Sequence, residues 1–448
     1  MKNILIIGAG RSSSSLIKYL LNLSESFALK ITVGDISKEL AQEKINDHIN
    51  GRAIYFSIED QSLKEKEIAN ADIVISMLPA ALHPVVAIEC LKQKKHLITA
   101  SYVSAAINAM HNEAKKAGLL FLNEAGLDPG IDHMSAMQII ERIKNNGGEI
   151  ISFKSFTGGL IAPESDDNPW HYKFTWNPLN VILAGQGVAK YLDDGKYKYI
   201  PYNRLFKQTQ YIKIENYGLF EGYANRDSLS YINHYGLENI KTMLRGTLRV
   251  APFCSAWSVF VSLGLTDDSY IIENSEKLTY AEIVEAFLPY SADSQLLLRE
   301  RVAEFANVKA DSTVMDMIDW TGIFSNEKLG IKNASPAKIL QYLLEQKWIL
   351  KEGDKDMIVM HHEFVYKIKN GTNKLFSSLV VKGEDTAQTA MAKTVGIPVG
   401  ICTKLLLENK IKERGVVIPV KKGIYEPVLD ELKNFGIKFD EKEEQLIS

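Results

Sequence analysis

Cysteine is scarce in this chain of 448 residues. Its three cysteines, Cys90, Cys254 and Cys402, lie far apart, and none belongs to a CxxC pair. This spacing excludes a disulfide framework and a zinc site built from paired cysteines. We therefore expect no bound metal and a reducing, cytoplasmic location.

Long apolar runs are also missing. The apolar segment after Met1 reaches glycine after about seven residues, which is too short for the core of a signal peptide. No other run approaches the roughly 20 apolar residues that span a bilayer. The sequence therefore predicts a protein that is neither exported nor embedded in a membrane.

Neither sign of charge dominates, since 52 Lys and Arg side chains stand against 55 Asp and Glu side chains, for a formal net charge of −3. No dense basic block is present, so nucleic acid is not expected as a partner. Hydrophobic residues make up 46% and charged residues 24% of the chain, proportions typical of a protein that folds throughout. The length exceeds what one core usually serves, which predicts two or three domains.

The first 122 residues alternate between strand and helix patterns. Residues 3–7 are apolar and β-prone, and they lead through Gly8 and Gly10 into a helix with apolar periodicity. Five further strand segments follow up to residue 122, with helical segments between them. This alternation predicts an α/β fold with a doubly wound, Rossmann-type parallel sheet that is covered by helices on both faces.

The glycine turn indicates a dinucleotide site, because close approach of a phosphate pair needs small residues and a helix N-terminus. Its third fingerprint position is Ser13 rather than glycine, and a glycine turn that binds no dinucleotide is the alternative. Asp35 ends the second strand, where a carboxylate can accept both ribose hydroxyls and repel an additional phosphate. NAD is therefore favoured, with NADP as the alternative, unless Asp35 simply begins the turn before Ser37. The residues expected to contact the cofactor are Gly8, Gly10, Arg11, Ser12, Ser13, Asp35, Ile36, Ser76, Leu78 and Pro79.

The composition changes after Asn123. From residue 150 to about 250 the chain is rich in Tyr, Phe, Trp and Thr with strand-like runs, which indicates a second domain with a more open sheet. Residues 266–351 have helical apolar spacing and form a predicted insertion. Two strands follow, and residues 385–408 then predict a long helix interrupted near Gly396 to Gly400.

Arginine and aspartate recur in three short segments of the second part. Asp128 lies in a Gly/Pro turn before a helix, Arg226 lies in a turn, and Arg245 and Arg249 share one strand-like run. Clustered arginines suit recognition of carboxylates through paired N–H bonds. We therefore predict a small-molecule substrate with several carboxylates, with surface ion pairs as the alternative explanation. Isolated histidines are more often ordinary hydrogen-bonded residues than bases; the candidates are His133, His171, His361 and His362.

Seven segments carry a resemblance to a known family. They are GAG near the start, ITASYV at 98–103, NEAGLDPGIDHM at 123–134, TGGLIAPE at 157–164, KFTWNP at 173–178, ANRDS at 224–228 and RGTLR at 245–249. In this order they resemble saccharopine reductase, the glutamate-forming saccharopine dehydrogenase family, over essentially the whole chain. The chain departs from some members at Thr157, where they have a cysteine.

The resemblance implies a domain organisation. Residues 1–123 would form the Rossmann domain, completed by about 390–448, and residues 124–265 with 352–389 would form a mixed-sheet substrate domain. Residues 266–351 would be the helical insertion. A homodimer is implied as well.

The resemblance also implies interconversion of saccharopine with L-glutamate and α-aminoadipate semialdehyde through an imine, in lysine metabolism. The residues implied to hold the amino-acid substrate are Ser101, Tyr102, Asp128, Arg226, Thr247, Leu248 and Arg249. Those implied to line the nicotinamide are Leu127, Asp128, Pro129, Trp176 and Asn177. Asp128 is the candidate for orienting or deprotonating the amine, although its position at a helix start equally suits an N-cap. The alternatives are a related imine-reducing enzyme, such as carboxynorspermidine dehydrogenase, and a non-catalytic NAD-binding protein.

Overall fold

The computed structural model describes residues 1–290, 295–369 and 371–446. Residues 291–294 of the predicted insertion and 447–448 of the predicted C-terminal segment lie outside the described residues. The strands are β1 (Lys2–Ile7), β2 (Leu29–Asp35), β3 (Gly51–Tyr55), β4 (Ile73–Ser76), β5 (His96–Thr99), β6 (Leu120–Leu122), β7 (Glu149–Ile161), β8 (Val188–Asp193), β9 (Lys196–Pro201), β10 (Thr209–Ile214), β11 (Gly218–Ala224), β12 (Thr242–Val250), β13 (Asp356–Ile368), β14 (Gly371–Lys382), β15 (Gly415–Val417) and β16 (Phe439–Leu446).

The helices lie between these strands, and the longest of them is near the C-terminus. They are α1 (Ser14–Leu23), α2 (Lys38–Ile45), α3 (Gln61–Ala69), α4 (His83–Lys92), α5 (Ala105–Ala109), α6 (His111–Lys116), α7 (Ile131–Asn145), α8 (Pro178–Ile182), α9 (Tyr202–Leu205), α10 (Tyr231–His234), α11 (Phe253–Ser262), α12 (Tyr280–Phe287), α13 (Leu298–Ala306), α14 (Thr313–Trp320), α15 (Pro336–Lys347), α16 (Ala390–Leu407) and α17 (Lys422–Leu432).

The first sheet is parallel, with the strand order β15-β6-β5-β4-β1-β2-β3. Its central strands are buried through consecutive residues, as expected for strands covered by helices on both faces. The predicted doubly wound α/β sheet is therefore confirmed. The strand order reverses between β4 and β1, and sheets of this type bind ligands at the carboxyl ends of the strands at that point.

The second sheet is mixed, with the order β10-β11-β12-β7-β13-β14-β16 and with β8 joining β12 to β9. Strand β12 runs parallel to β7, whereas β7 and β13 are antiparallel. One face shares a core with the first sheet and helices α7 and α16. The other face packs against the helices of residues 253–347 around the buried Trp170, Trp257 and Trp348. The predicted mixed sheet is thus confirmed.

Helix α16 is continuous, which corrects the predicted interruption near Gly396 to Gly400. Both glycines face α1 at very short range. A Cβ atom on Gly396 would lie 2.8 Å from the backbone nitrogen of Leu16, and one on Gly400 would lie 2.5 Å from Cδ1 of Tyr19. The glycines therefore permit close helix packing instead of ending the helix.

Helix α16 is also, within the described part of the chain, the one helix long and apolar enough to cross a membrane. Its apolar segment is 18 residues long, and 78% of it is buried within the fold, which is the burial of a core helix.

The C-terminal segment is divided between the two sheets. Strand β15 joins the first sheet beside β6, as the implied completion of the Rossmann domain requires. Strand β16, however, pairs with β14 at the edge of the second sheet. The assignment of all residues from about 390 to 448 to the first domain is therefore corrected, because the edge of β14 offers unpaired backbone groups to the last strand.

Candidate functional site

The glycine turn and the second sheet meet at the carboxyl edge of the first sheet. Arg11, in the turn after β1, donates from Nη1 to the carbonyl oxygen of Phe174 at 2.8 Å. Tyr102, after β5, donates to Asp128 Oδ1 at 2.8 Å, and Arg245 of β12 donates to the same oxygen at 2.7 Å. These contacts join the two sheets at this edge, and the space between the glycine turn and Asp128 is called the cleft below.

The glycine turn has the shape that a dinucleotide phosphate requires. Gly8 has a φ of 106°, and a Cβ atom there would lie 2.9 Å from the carbonyl oxygen of Met77. Gly10 faces open space, so its backbone can be approached closely. Ser13 is 1% exposed and donates its hydroxyl to the carbonyl of Gly10 at 2.8 Å. This hydroxyl closes the turn, and the cofactor contact expected for Ser13 stays a prediction.

Asp35 holds its carboxylate against the glycine turn at the end of β2. Its Oδ2 accepts from the N–H of Ala9 at 2.7 Å, and its Oδ1 accepts from the N–H of Ser37 at 2.9 Å. The carboxylate thus caps the turn from Asp35 to Ser37 and also contacts the glycine turn after β1. The next side chain, Ile36, is uncharged and 77% exposed. Together with the glycine turn, these residues fit a bound dinucleotide.

Ser76, at the end of β4, is wholly buried. Its hydroxyl lies 2.8 Å from Nδ1 of His83, so it is engaged within the protein. The cofactor contact expected for Ser76 stays a prediction. Leu78 and Pro79 follow in the loop before α4, where Leu78 is half-buried and Pro79 is exposed.

An ionic cluster of Asp128, Asp132 and Arg245 lies buried on the substrate side. Arg245 Nη2 donates to Asp128 Oδ1 at 2.7 Å and to Asp132 Oδ2 at 2.6 Å. Burial and the charge of Asp132 raise the pKa of Asp128 above its usual value. Burial acts on Asp132 as well, but His133 and Arg245 hold its pKa below the usual value. A proton taken up by this pair of carboxyl groups therefore goes to Asp128.

A second layer of buried polar groups supports the cluster. Glu124 Oε2 lies 2.8 Å from Nε2 of His133 and accepts from the Tyr231 hydroxyl at 3.0 Å. The Tyr235 hydroxyl lies 2.6 Å from Nδ1 of His133. Both ring nitrogens of His133 are thus engaged, and the ring is fully buried. His133 therefore stabilises the cluster and is not placed to act as a base on a substrate.

Strand β12 presents Arg245, Thr247 and Arg249 on one face, since alternate residues share a face. The side chain of Leu248 packs in the second core, and its expected substrate contact stays a prediction. Arg249 is 4% exposed and donates from Nη1 to the carbonyl oxygen of Leu248 at 2.9 Å, yet no carboxylate of the described residues forms an ion pair with it. Its Nε has no hydrogen-bond partner, and its guanidinium lies 5.1 Å from the ring centre of Tyr172. A buried cation without an anion is suited to a ligand carboxylate.

Arg226 is exposed and forms no ion pair within the described part of the chain. It has a φ of 46°, and its carbonyl accepts from the N–H of Lys190 at 2.7 Å. The guanidinium groups of Arg226 and Arg245 each lie 5.6 Å from the ring centre of Tyr102. The Tyr102 ring therefore lies between Arg226 and the ionic cluster.

The KFTWNP segment is anchored at its start. Lys173 is 1% exposed and pairs with Asp354 at 2.7 Å. Trp176 is half-buried and contacts both cores. Asn177 Oδ1 accepts from the N–H of Asn180 at 3.1 Å and caps α8. This cap leaves the amide nitrogen of Asn177 for the predicted contact with the nicotinamide.

The remaining candidates flank the ionic cluster. Leu127 is 5% exposed and lies in the first core, and Pro129 is buried as well. Thr157 lies opposite Thr247 in the register of β7 and β12, and its buried hydroxyl has no hydrogen-bond partner among the described residues. A hydroxyl therefore occupies the position where some family members have a thiol.

The other candidate bases are engaged elsewhere in the fold. Their hydrogen-bond partners are Asp166 for His171, Ser378 for His361 and Ser135 for His362. In residues 1–290, 295–369 and 371–446, no group of three or more His, Cys, Asp or Glu side chains is arranged to hold a metal ion.

Sequence models of one family match both parts of the chain. The model described as "Saccharopine dehydrogenase NADP binding domain" matches residues 4–122, and "Saccharopine dehydrogenase C-terminal domain" matches residues 126–437. The chain belongs to the saccharopine dehydrogenase family. The resemblance noted from the sequence is thereby confirmed.

Individual relatives are similar to this chain over nearly its whole length. The mitochondrial alpha-aminoadipic semialdehyde synthase of Bos taurus is 36% identical over 98% of this chain, which matches 47% of that protein. The chain thus spans about half the length of the synthases it matches. The saccharopine dehydrogenase [NADP(+), L-glutamate-forming] of Pyricularia oryzae is 32% identical, with 98% of this chain and 99% of that protein covered. The apo saccharopine dehydrogenase (L-Glu forming) of Saccharomyces cerevisiae superposes with a TM-score of 0.86 at 31% identity, over 99% of this chain and 100% of that chain.

Sequence reasoning about this family member missed three residues of the cleft. Asp132 and Glu124 flank Asp128, and an acidic residue in the first turn of α7 was a signal that could have identified Asp132. His83 begins α4, and no local pattern distinguishes it from other helix-terminal histidines. Its hydrogen bonds to the hydroxyls of Ser76 and Ser101, at the ends of β4 and β5, form only in the folded chain.

Proposed function

We propose that this chain is an NAD(P)-dependent saccharopine dehydrogenase that interconverts saccharopine with L-glutamate and α-aminoadipate semialdehyde. The buried, unpaired guanidinium of Arg249 carries the proposal, because a substrate carboxylate would supply its missing anion. Arg226 supplies a second cation, and saccharopine has three carboxylates. The names of the full-length fungal relatives support the same substrate.

Hydride transfer between a substrate carbon and the nicotinamide is the chemistry that bound NAD(P) supplies. Arg226, beside the Tyr102 ring, and Arg249, beside the Tyr172 ring, each bind a substrate carboxylate. Both hydrogen bonds to Asp128 use Oδ1, which leaves Oδ2 to orient the secondary amine. With its raised pKa, Asp128 is also the carboxyl group that can hold a proton from the amine. Water then hydrolyses the imine.

The reaction itself can be tested with the purified chain. Saccharopine and NAD should give an increase in absorbance of the reduced nicotinamide and an equal amount of glutamate, measured by mass spectrometry. No absorbance change with saccharopine and either NAD or NADP, at any alkaline pH, would contradict the proposal.

Replacing Asp128 with asparagine should lower kcat/KM for saccharopine about 10-fold, the effect of losing one charged hydrogen bond. The amide oxygen still accepts from Tyr102 and Arg245, so the orientation of the site is largely kept. In the unmodified chain, activity should fall as the pH decreases through the raised pKa of Asp128, because the carboxylate is the active form. Asp128→Asn should move this acidic limb to lower pH. Initial rates across the pH range measure both effects.

Asp166→Asn is the matched control, since Asp166 is a partly exposed carboxylate bonded to His171 and lies outside the cleft. It should leave both kcat/KM and the pH profile unchanged. A loss of more than about 100-fold for Asp128→Asn would instead indicate obligatory proton transfer by this carboxylate.

We further infer that the enzyme prefers NAD to NADP as its cofactor. The relatives of full length are named for NADP(+), and the matching family model is described as NADP binding. The inference rests on Asp35, whose carboxylate lies at the end of β2 where a 2′-phosphate would approach. Ile36, the next residue, adds no positive charge there.

We expect kcat/KM to be at least about 10-fold higher with NAD than with NADP, because adjacent like charges cost several kcal/mol. The combined change Asp35→Ser and Ile36→Arg should shift this ratio towards NADP by about 10-fold or more. Dissociation constants for NADH and NADPH, from nicotinamide fluorescence, provide a measurement independent of turnover. Glu39→Ser, which removes a nearby acidic side chain of α2, is the control and should not change the ratio. Equal use of both cofactors by the unmodified chain would refute the preference.

A further inference from the structure

His83 bridges the ends of two strands of the first sheet. Its Nδ1 lies 2.8 Å from the hydroxyl of Ser76 after β4, and its Nε2 lies 2.7 Å from the hydroxyl of Ser101 after β5. The Thr99 hydroxyl is a more distant neighbour, at 3.4 Å from Nε2. The imidazole is 2% exposed, so these three hydroxyls form its polar surroundings.

The ring is neutral at physiological pH, because burial lowers the pKa of His83 to about 4. A neutral imidazole donates from one nitrogen and accepts at the other. The hydroxyls of Ser76 and Ser101 therefore cannot both donate to the ring, and the direction of one hydroxyl determines the direction of the other.

The residues that follow the two serines contact the cofactor side and the substrate side of the cleft. Met77, next to Ser76, places its carbonyl oxygen against Gly8 of the glycine turn. Tyr102, next to Ser101, donates its hydroxyl to Asp128 of the ionic cluster. Ser101 itself is half-buried, unlike Ser76, so its hydroxyl can be offered to a ligand.

We propose that His83 is a positioning residue that fixes the direction of the Ser101 hydroxyl, so that Ser101 offers one defined hydrogen bond to the amino-acid substrate. This inference rests on the proposed function, in which Ser101 contacts saccharopine. His83 itself does not touch the substrate, and its effect is transmitted through Ser101 alone.

The test uses two replacements that each retain one half of the bridge. A glutamine amide reaches the position of Nε2 and can bond to Ser101, whereas an asparagine amide reaches the position of Nδ1 and can bond to Ser76. His83→Asn should raise KM for saccharopine about 10-fold, while His83→Gln should stay within about 3-fold of the unmodified chain. The dissociation constant for NADH should change by less than about 2-fold in both variants. Both lose one buried hydrogen bond, so their melting temperatures should be equally lowered.

Double substitution tests the route through Ser101. Ser101→Ala should raise KM by the same factor as His83→Asn, and combining the two should add little, because both remove one coupled interaction. His361→Gln is the matched control, since His361 is another buried histidine bonded to a serine, outside the cleft. It should leave KM unchanged.

Equal KM values for His83→Asn and His83→Gln, or full additivity with Ser101→Ala, would overturn the positioning role. If neither His83 variant folds, Ser76→Ala leaves the ring in place and frees its orientation, and it should raise KM about 3-fold; an unchanged KM overturns the proposal. Absence of saccharopine turnover in the unmodified chain contradicts the proposed function and the positioning role together. An active unmodified chain with equivalent variants contradicts the positioning role only.

Discussion

Replacing Arg249 with methionine is expected to raise KM for saccharopine about 100-fold, the effect of losing a charged, desolvated hydrogen-bonding partner for a carboxylate. The same change should not destabilise the fold. Arg249 is 4% exposed and has no protein anion among the described residues, so its burial is unfavourable without a ligand. Methionine has a similar length and no charge, and the free energy of unfolding should remain equal or rise by about 1 kcal/mol.

Steady-state kinetics and urea unfolding of the same preparation measure the two quantities. The dissociation constant for NADH is the internal control, because Arg249 lies on the substrate side of the cleft, and it should change by less than about 2-fold. Arg249→Lys keeps the charge but loses the planar guanidinium, so its KM should lie between that of the unmodified chain and that of Arg249→Met. A KM unchanged in Arg249→Met would remove the main support for the proposed substrate.

Replacing Arg245 with methionine should, in contrast to Arg249→Met, lower the free energy of unfolding, by about 3–5 kcal/mol. Arg245 lies four residues before Arg249 on the same face of β12, but it is bonded to both Asp128 and Asp132. Its removal leaves two carboxylates close together in a buried site with no cation between them. Urea denaturation at neutral pH measures the loss.

Two comparisons make this prediction specific. Arg226→Met removes a cation that forms no ion pair in the described part of the chain, and its free energy of unfolding should change by about 0.5 kcal/mol or less. Adding Asp132→Asn to Arg245→Met should recover part of the loss, because it removes one of the two buried negative charges that lose their cation. A loss below about 1 kcal/mol for Arg245→Met would contradict the cluster as a determinant of stability.

Much of the first domain was predictable because its determinants are local. An apolar strand followed by Gly8 and Gly10 predicts the turn, and Asp35 ends the next strand, as the structure confirms. The cytoplasmic location, the homodimer and, apart from the placement of β16, the domain boundaries stay predictions. The individual contacts were harder to predict, since the hydroxyls of Ser13 and Ser76 bond to a backbone carbonyl and to His83, partners that no local pattern indicates.

The C-terminal segment was the least predictable part of the fold. Gly396 and Gly400 have the composition of a helix break, yet they lie where α16 approaches α1 most closely. Strand β16 could have joined either sheet from its sequence, and it pairs with β14. Both outcomes depend on which surface is available in the assembled fold, and that information lies far away in the chain.

The sequence by itself determined the parallel sheet, the glycine turn and the concentration of arginines that indicates a substrate with several carboxylates. Tertiary structure alone decided what each arginine does. The partners of Arg245 lie 117 and 113 residues earlier in the chain, at Asp128 and Asp132, whereas Arg249 meets no such carboxylate. Because charge pairing depends on distance in space, no local pattern separates the arginine that stabilises the fold from the one available to a ligand.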